Sequence, residues 1–104
     1  MKMIWAVIRP EVVDKVVKAL TAAGFAAMTR FDVYGRGKQM GVVVGGESYD
    51  MPKTVLMLVV NSDSVESVMK IVEENARTGS IGDGRIFVAP IELAHTIRTG
   101  EPGL

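Results

Sequence analysis

Runs of apolar residues along this chain predict four β-strands and two helices. The apolar run at residues 2–8 predicts the first strand, and a helical pattern follows it from Pro10 to Gly24. Proline suits the first turn of a helix, and glycine is common just after the last turn. One face of this helix is apolar: Val12, Val13, Val16, Val17 and Leu20. The helix should therefore pack this face against a sheet.

Two more strands are predicted on either side of a glycine-rich loop. The second strand covers about residues 26–34, and the third covers residues 53–60, which are almost entirely apolar. Between them, residues 35–51 contain five glycines and only one short apolar run. We expect this segment to be a long, mobile connection, and such connections commonly carry function.

A second helix and a fourth strand complete the pattern. Asp63 and Glu66 form a D-x-x-E pattern that predicts an N-terminal capping box for a helix ending near Arg77. The fourth strand is predicted over residues 85–89, and a short extended tail over about residues 93–99. The order β-α-β-β-α-β predicts an α+β sandwich of the ferredoxin-like type.

Both faces of the first and third strands are apolar. The third strand alternates between two apolar sets: Val55, Met57 and Val59 on one face, and Leu56, Leu58 and Val60 on the other. In a ferredoxin-like domain the two helices cover only one face of the sheet. Because the other face must also be covered, we expect an oligomer in which sheets pack face to face.

Composition limits the classes of function. The 104-residue chain is expected to form a single domain over residues 1–104. Its 12 Lys and Arg residues balance its 12 Asp and Glu residues, so it has no broad basic field for nucleic acid. The absence of cysteine and the single His95 exclude thiolate and multi-histidine metal sites within one chain. The apolar N-terminal run is too short to cross a membrane and lacks a signal-peptide cleavage pattern, so we expect a cytoplasmic protein.

The glycine-rich run at residues 78–85, Thr-Gly-Ser-Ile-Gly-Asp-Gly-Arg, is a candidate phosphate site. Glycines let backbone amides come close to an anion, and Arg85 can add positive charge. The alternative is a structural turn between a helix and a strand, although one glycine would suffice for that. The run also lacks the residue order of a P-loop. Both interpretations remain open from these residues alone.

A second cluster of glycines and cations lies at the start of the long loop. Arg36, Lys38 and Gln39 stand among glycines, and Lys53 lies at the far end of the loop. A solvated polar loop is the simpler interpretation. The ferredoxin-like order would nevertheless allow this loop and residues 78–85 to face one ligand across a subunit boundary, which favours a nucleotide.

The residues give little support for catalysis. His95 has no acid nearby in the sequence, and the serines have no evident base. Asp83 could help to hold a metal, but an aspartate between glycines commonly bonds its own backbone. We therefore expect a protein that is not an enzyme. A small phosphohydrolase is one alternative, and an RNA-binding domain of the same element order is another, although the latter needs more exposed aromatic residues than Trp5 and Phe87.

The chain resembles the PII signal-transduction proteins over nearly its whole length. Residues 77–88 resemble the B-loop of that family and its strand, and residues 97–101 resemble its C-terminal signature. Residues 35–41 and the pair Pro52 and Lys53 resemble the two ends of its T-loop. The resemblance implies a trimer that binds ATP or ADP in clefts between subunits, and that binds 2-oxoglutarate with the support of MgATP.

The same resemblance implies which residues would bind each ligand. Gln39 and Lys53 would bind 2-oxoglutarate, and Gln39 would complete a Mg²⁺ site with phosphate oxygens. Thr29 would recognise the adenine end of the nucleotide, and Arg98 would add charge from the neighbouring subunit. The full nucleotide site implied in this way is Thr29, Gly35, Gly37, Lys38, Gln39, Gly82, Asp83, Gly84, Arg85 and Arg98.

Some positions depart from the PII pattern. The T-loop, at about residues 36–52, is shorter than in the glutamine-synthetase type, and Thr96 replaces the first C-terminal arginine of the family. Lysine and arginine are exchanged at Lys38 and Arg85. Because Thr96 carries no charge, we expect this replacement to weaken triphosphate binding. Tyr49 lies outside the usual context for uridylylation, and we interpret it as a partner contact or a loop anchor.

The pattern is most similar to the nitrogenase-associated branch of PII proteins found in archaea and anaerobic bacteria. That resemblance rests on residues 8–11, 35–39 and 95–100. It implies a homotrimer, or a mixed assembly with a second PII-like paralogue, that inhibits nitrogenase until 2-oxoglutarate and MgATP release it. The alternative target is an ammonium transporter or another protein of nitrogen metabolism. Neither nucleic-acid binding nor direct membrane insertion is implied.

Overall fold

The computed structural model describes residues 1–104 and contains a four-stranded antiparallel sheet with two α-helices on one face. In chain order the elements are β1 (Lys2–Ile8), α1 (Val13–Ala22), β2 (Thr29–Gly35), β3 (Val42–Val44), β4 (Glu47–Tyr49), β5 (Met51–Val60), α2 (Val65–Ala76) and β6 (Gly84–Pro90). The strand order in the sheet is β2-β5-β1-β6, and β3 pairs with β4 separately. This is the ferredoxin-like α+β arrangement that the sequence predicts.

The core lies between the helices and one face of the sheet. Its buried members come from β1, β5 and both helices: Ile4, Ala6, Ile8, Val13, Val16, Leu20, Leu56, Leu58, Val60, Val68, Val72 and Ala76. Full burial of each large aliphatic side chain stabilises the fold by about 1.5–3 kcal/mol. Thr54 is the buried polar residue, and its Oγ1 donates a hydrogen bond to Asp32 Oδ1 at 3.0 Å. The apolar stripes that predict the helices are therefore the ones that pack.

The end of α1 follows the sequence prediction. The backbone N–H of Phe25 donates to the carbonyl of Leu20 at 2.9 Å, and that of Gly24 donates to the carbonyl of Thr21 at 3.0 Å. This pair of bonds is a Schellman motif, which satisfies carbonyls that the helix would otherwise leave free. Phe25 also packs against the core that contains Leu20. Gly24 is thus confirmed as the end of the helix.

The start of α2 does not follow the sequence prediction. Residues Ser62–Ser64 form a 3₁₀ turn, so that α2 begins at Val65. The residue before the helix is Ser64, and its side chain makes no capping hydrogen bond. Asp63 lies inside the preceding turn and cannot cap α2. The predicted capping box of Asp63 and Glu66 is therefore wrong, because a local 3₁₀ turn moves the helix start past it.

The long connection between β2 and β5 contains the hairpin of β3 and β4. In this hairpin Val42 lies opposite Tyr49, and Val44 lies opposite Glu47. Gly45 and Gly46 form its two-residue turn, with φ angles of 59° and 83°. A hairpin turn of type I′ needs positive φ at both positions, which glycine adopts without strain. The long connection that the sequence predicts therefore contains a short hairpin.

The second face of the sheet is apolar and uncovered within one chain. Trp5 packs edge to face on Phe31, with 5.6 Å between ring centroids. Trp5 is 36% exposed, and Phe87, its cross-strand neighbour on β6, is 54% exposed. The pattern that predicts two apolar faces is thus present in the structure. Cover by other copies of the chain remains a prediction.

The remaining segment, after β6, contains no further helix and lies outside the sheet. It folds back on itself: the N–H of Thr96 donates to the carbonyl of Glu101 at 2.9 Å, and that of Gly103 donates to Ala94 at 2.9 Å. Neither α-helix has the length and apolar character needed to cross a bilayer.

Candidate anion-binding cleft

The two glycine-rich loops line one cavity of about 730 Å³ within a single chain. The sheet register brings them together, because Gly35 pairs with Met51 while Ile8 pairs with both Thr54 and Gly84. The ends of β2 and β1 and the starts of β5 and β6 therefore meet at one edge of the sheet. The sequence allows these loops to face one ligand across a subunit boundary, and in the structure they already meet within one chain. The predicted site residues that line the cavity are Gly35, Gly37, Lys38, Gln39, Lys53, Gly82, Asp83, Gly84 and Arg85.

Asp83 organises the glycine loop at residues 78–85. Its Oδ2 accepts hydrogen bonds from the N–H groups of Thr78 at 2.8 Å and Gly79 at 2.9 Å. Its Oδ1 accepts from the hydroxyl of Thr78 and from Arg9 Nε, the latter at 3.1 Å. The hydroxyl of Thr78, helped by these other donors, holds the pKa of Asp83 well below its usual range. The carboxylate therefore bonds its own loop.

Two cations bond carbonyl groups of the same loop. Arg9 Nη2 donates to the carbonyl of Ile81 at 2.7 Å, and Lys53 Nζ donates to the carbonyl of Gly82. The backbone N–H groups of Gly82 and Asp83 make no hydrogen bond within the chain. Successive free amides of this kind form an anion-binding concavity.

Gly84 joins the loop to β6 where no side chain fits. A Cβ atom there would lie 1.8 Å from the carbonyl oxygen of Val7, and φ at Gly84 is 107°. Arg85 follows directly and lines the cavity, and it forms no ion pair within the chain. Lys38 also lines the cavity without an ion-pair partner. Both positive charges are therefore available to a ligand.

Lys53 faces the cavity from the start of β5. Burial lowers the pKa of Lys53 below the ordinary value for lysine, and the positive charge of Arg9 lowers it further. Glu11 and Asp83 act in the opposite direction. Repulsion between the two cations would fall if an anion bound beside Lys53. The electrostatics of this side of the cavity thus suit a carboxylate or a phosphate.

Gln39 is the residue available to a metal ion. Its side chain folds back over Gly37, where a Cβ atom would lie 2.6 Å from Gln39 Oε1. The chain contains no group of three His, Asp or Glu residues that could hold a metal. Mg²⁺ prefers six oxygen ligands and is commonly bound through substrate phosphates. The donor set therefore fits Mg²⁺ only together with phosphate oxygens, which would supply most of its ligands.

Two of the residues predicted for the nucleotide site lie outside the cavity. Thr29 is at the opposite end of β2 from Gly35, and Arg98 lies in the folded-back C-terminal segment. One chain does not bring them to the loops. Sequence reasoning missed Arg9, which bonds the loop from the end of β1. No local pattern marks Arg9 as a contact of the loop, because the pairing of β1 with β6 is what places it there.

Comparison with known proteins identifies the family. The family profile described as "Nitrogen regulatory protein P-II" matches residues 1–101. The chain belongs to the P-II family. P-II proteins are signalling regulators rather than enzymes, which agrees with the expected class.

Individual P-II relatives are similar along their full length. The chain is 50% identical to "Nitrogen fixation nifHD region GlnB-like protein 1" of Methanothermococcus thermolithotrophicus, with all of both chains covered. It has the same identity and coverage with the protein of that name from Methanococcus maripaludis. It is 43% identical to "Nitrogen regulatory protein P-II 2" of Methanothermobacter thermautotrophicus, over 99% of this chain and 94% of that one. The resemblance to the nitrogen-fixation branch of the P-II family is confirmed.

Proposed function

We propose that this P-II protein senses ATP or ADP together with 2-oxoglutarate, and that it regulates nitrogen fixation by binding nitrogenase. The observation that carries the proposal is the cleft itself. Free amides at Gly82 and Asp83 and unpaired cations at Lys38 and Arg85 line one cavity. Polyphosphates carry the dense negative charge that such a set of donors recognises. The nifHD-region names of the relatives support nitrogen fixation as the process under control.

The nucleotide phosphates would bind the glycine loop. The amides of residues 82–84 and the Arg85 guanidinium would contact phosphate oxygens, and Lys38 would approach from the second loop. Thr29 and Arg98 would come from a neighbouring chain, because one chain does not place them at the cavity. The uncovered apolar sheet face supports a trimer as the assembly that brings them in. A second P-II paralogue could replace some copies in a mixed assembly.

2-Oxoglutarate would bind between Gln39 and Lys53. The ammonium group of Lys53 would pair with one carboxylate of the ligand, and the amide oxygen of Gln39 would contribute to a Mg²⁺ ion held mainly by nucleotide phosphates. Bound Mg²⁺ supplies positive charge that neutralises phosphate and carboxylate oxygens together. Because Gln39 belongs to the connection that carries the hairpin, ligand binding would change which conformations of the connection are populated.

The hairpin would be the surface that the target contacts. An ion pair of 3.3 Å between Arg36 Nε and Asp50 Oδ1 closes its base, and Val43, Val44 and Tyr49 are exposed on it. In this proposal nitrogenase binds one conformation of the hairpin and is inhibited, and 2-oxoglutarate with MgATP removes that conformation and releases the enzyme.

Capture from nitrogen-fixing cells tests the proposal. The immobilised protein should retain a nitrogenase component without effectors and release it when MgATP and 2-oxoglutarate are added together. A Lys53→Met variant should retain nitrogenase under both conditions while still binding ADP in calorimetry. Capture of an ammonium transporter in place of nitrogenase would overturn the target. Absence of nucleotide binding to the wild-type protein in calorimetry would overturn the sensing function.

A further inference from the structure

Arg9 fastens the glycine loop to the end of β1 from behind the cleft. Its guanidinium donates from Nε to Asp83 at 3.1 Å and from Nη2 to the carbonyl of Ile81 at 2.7 Å. The Arg9 side chain is 22% exposed, and that of Asp83 is 24% exposed. Pro10 follows at once and starts a 3₁₀ turn, which limits the backbone freedom of Arg9. The contact thus joins a sheet end to a loop more than seventy residues away.

This contact fixes the direction of one peptide group in the loop. The carbonyl of Ile81 and the N–H of Gly82 belong to the same trans peptide, so they point in opposite directions. Holding the carbonyl on Arg9 therefore directs the Gly82 N–H away from Arg9. Lys53, which lines the cavity, holds the next carbonyl, that of Gly82, so the N–H of Asp83 points away from Lys53. The Gly82 N–H has no partner within the chain, so the contact with Arg9 orients a free donor.

Arg9 acts on the loop rather than on the contents of the cavity. It is not among the residues that line the cavity, whereas Gly82 and Asp83 are. A guanidinium presents several N–H donors in a fixed plane and can serve a carboxylate and a carbonyl at once. A lysine at this position would keep the charge but could not keep both bonds in that geometry.

We propose that Arg9 is a positioning residue, which pre-orients the Gly82 amide of the glycine loop for a phosphate group. The inference rests on the proposed nucleotide site and adds a residue outside it. Without the two bonds from Arg9, the peptide between Ile81 and Gly82 is free to rotate. Ligand binding must then order the loop as well as contact it, which weakens affinity.

Arg9→Lys separates geometry from charge. ADP affinity, measured by calorimetry, should fall about tenfold, which corresponds to the loss of one charge-assisted hydrogen bond. Amide exchange of residues 78–85 in the ligand-free protein should become faster, while the melting temperature stays close to that of the wild type. Arg9→Gln, which removes the charge as well, should weaken binding further. Arg77→Lys is the matched control, because the Arg77 side chain pairs with Glu73 at the nearby end of α2 and makes no hydrogen bond or ion pair with the loop.

Unchanged ADP affinity and unchanged loop exchange in Arg9→Lys would overturn the inference. An equal affinity loss in Arg77→Lys would also overturn it, because the loss would then not result from the two hydrogen bonds of the Arg9 guanidinium. If the wild-type protein binds no ADP, the proposed function fails instead. Exchange in the ligand-free loop still decides in that case whether Arg9 orders it.

Discussion

Asp83 shows at the scale of one residue how the cleft obtains its shape. Both of its carboxylate oxygens are engaged, with Thr78, Gly79 and Arg9 as the donors. A carboxylate beside a phosphate would repel it, but the pairing with Arg9 offsets this charge. The part of Asp83 left for a ligand is its backbone N–H. The side chain of Asp83 therefore stabilises the conformation of the loop, and its backbone N–H is the group available to a ligand.

Asp83 should make the stability of the fold depend on acid pH. Its pKa in the folded protein is held below the value of about 3.9 that an unfolded aspartate has. The stabilisation is therefore present above about pH 4 and is lost as the pH falls further. Thermal melting between pH 6 and pH 2.5 should show a shallower acid decline for Asp83→Asn than for the wild type.

Asp63→Asn is the control for this measurement, since Asp63 lies in a turn and makes no ion pair or side-chain hydrogen bond. Its melting curves should follow those of the wild type at every pH. Parallel curves for wild type and Asp83→Asn would remove Asp83 as the source of the acid dependence.

Arg85 should contribute directly to nucleotide affinity. It lines the cavity and has no ion-pair partner in the chain, so its charge is available to phosphate. Arg85→Ala should weaken nucleotide binding by about 1.5–3 kcal/mol, the range for a hydrogen bond to a charged group. Arg30→Ala is a suitable control in the same calorimetry, because Arg30 pairs with Asp14 at 3.6 Å on the helix-covered face. Equal affinity in wild type and Arg85→Ala would exclude Arg85 from the site.

At the scale of elements, the sequence predicts those parts whose signal is local and repeated. The apolar stripe of α1 and the face of β5 that carries Leu56, Leu58 and Val60 each repeat over several residues, and both pack in the core as expected. The 3₁₀ turn before α2 has no periodic signal. The hairpin has strands of three residues with exposed side chains, so no alternation reveals it. Its one sequence signal is the pair Gly45 and Gly46 between two short runs.

The hairpin turn gives a prediction at the same scale. Gly46 has a φ of 83°, which valine adopts only with strain and asparagine tolerates. Gly46→Val should open the hairpin and speed proteolysis within residues 36–52, whereas Gly46→Asn should not. Both variants should keep the melting temperature and the ADP affinity of the wild type, because β3 and β4 lie outside the main sheet. Equal proteolysis of the two variants would argue against the hairpin in solution.

Only those parts of the candidate site that have a local sequence signal can be predicted. The two glycine loops can be recognised from composition, because glycines and cations cluster within each of them. Arg9 cannot be recognised in this way, since its role depends on which strands pair and in which register. Thr29 and Arg98 lie outside the cavity of one chain, and the proposal that they complete it requires a neighbouring chain. Long-range pairing and assembly are thus the properties that a single sequence expresses least directly.

At the scale of the whole molecule, one assembly would both cover the apolar sheet face and supply the residues that the proposed cleft lacks within one chain. Trp5, Phe31 and Phe87 expose an apolar surface on the face away from the helices. Contiguous apolar surface of this kind commonly marks a protein interface. Assembly through this face would bury it and would also bring neighbouring chains close to the cavity. Nucleotide binding and assembly should therefore be coupled.

Phe31→Lys tests this coupling. Placing a charge within the apolar face should convert a trimer to monomers in sedimentation at micromolar concentration, and should weaken ADP binding at least tenfold, because each site loses its neighbour. Trp5 is the only tryptophan and contacts Phe31, so its emission should shift to longer wavelength as the face is exposed. Tyr34→Lys, on the same strand but pointing to the other face, should change neither property. A monomeric wild type that binds ADP normally would contradict the coupling.

The pairing of Gly35 with Met51 separates the hairpin from the cleft structurally. Because these residues are held opposite each other in the sheet, the segment between them leaves and re-enters the body at fixed points. Its length and sequence can then change at little cost to the cleft, since loop length affects stability only weakly. If the cleft and the hairpin act as proposed, a paralogue could therefore acquire a new target by a change in the hairpin alone, with its ligand site unaltered.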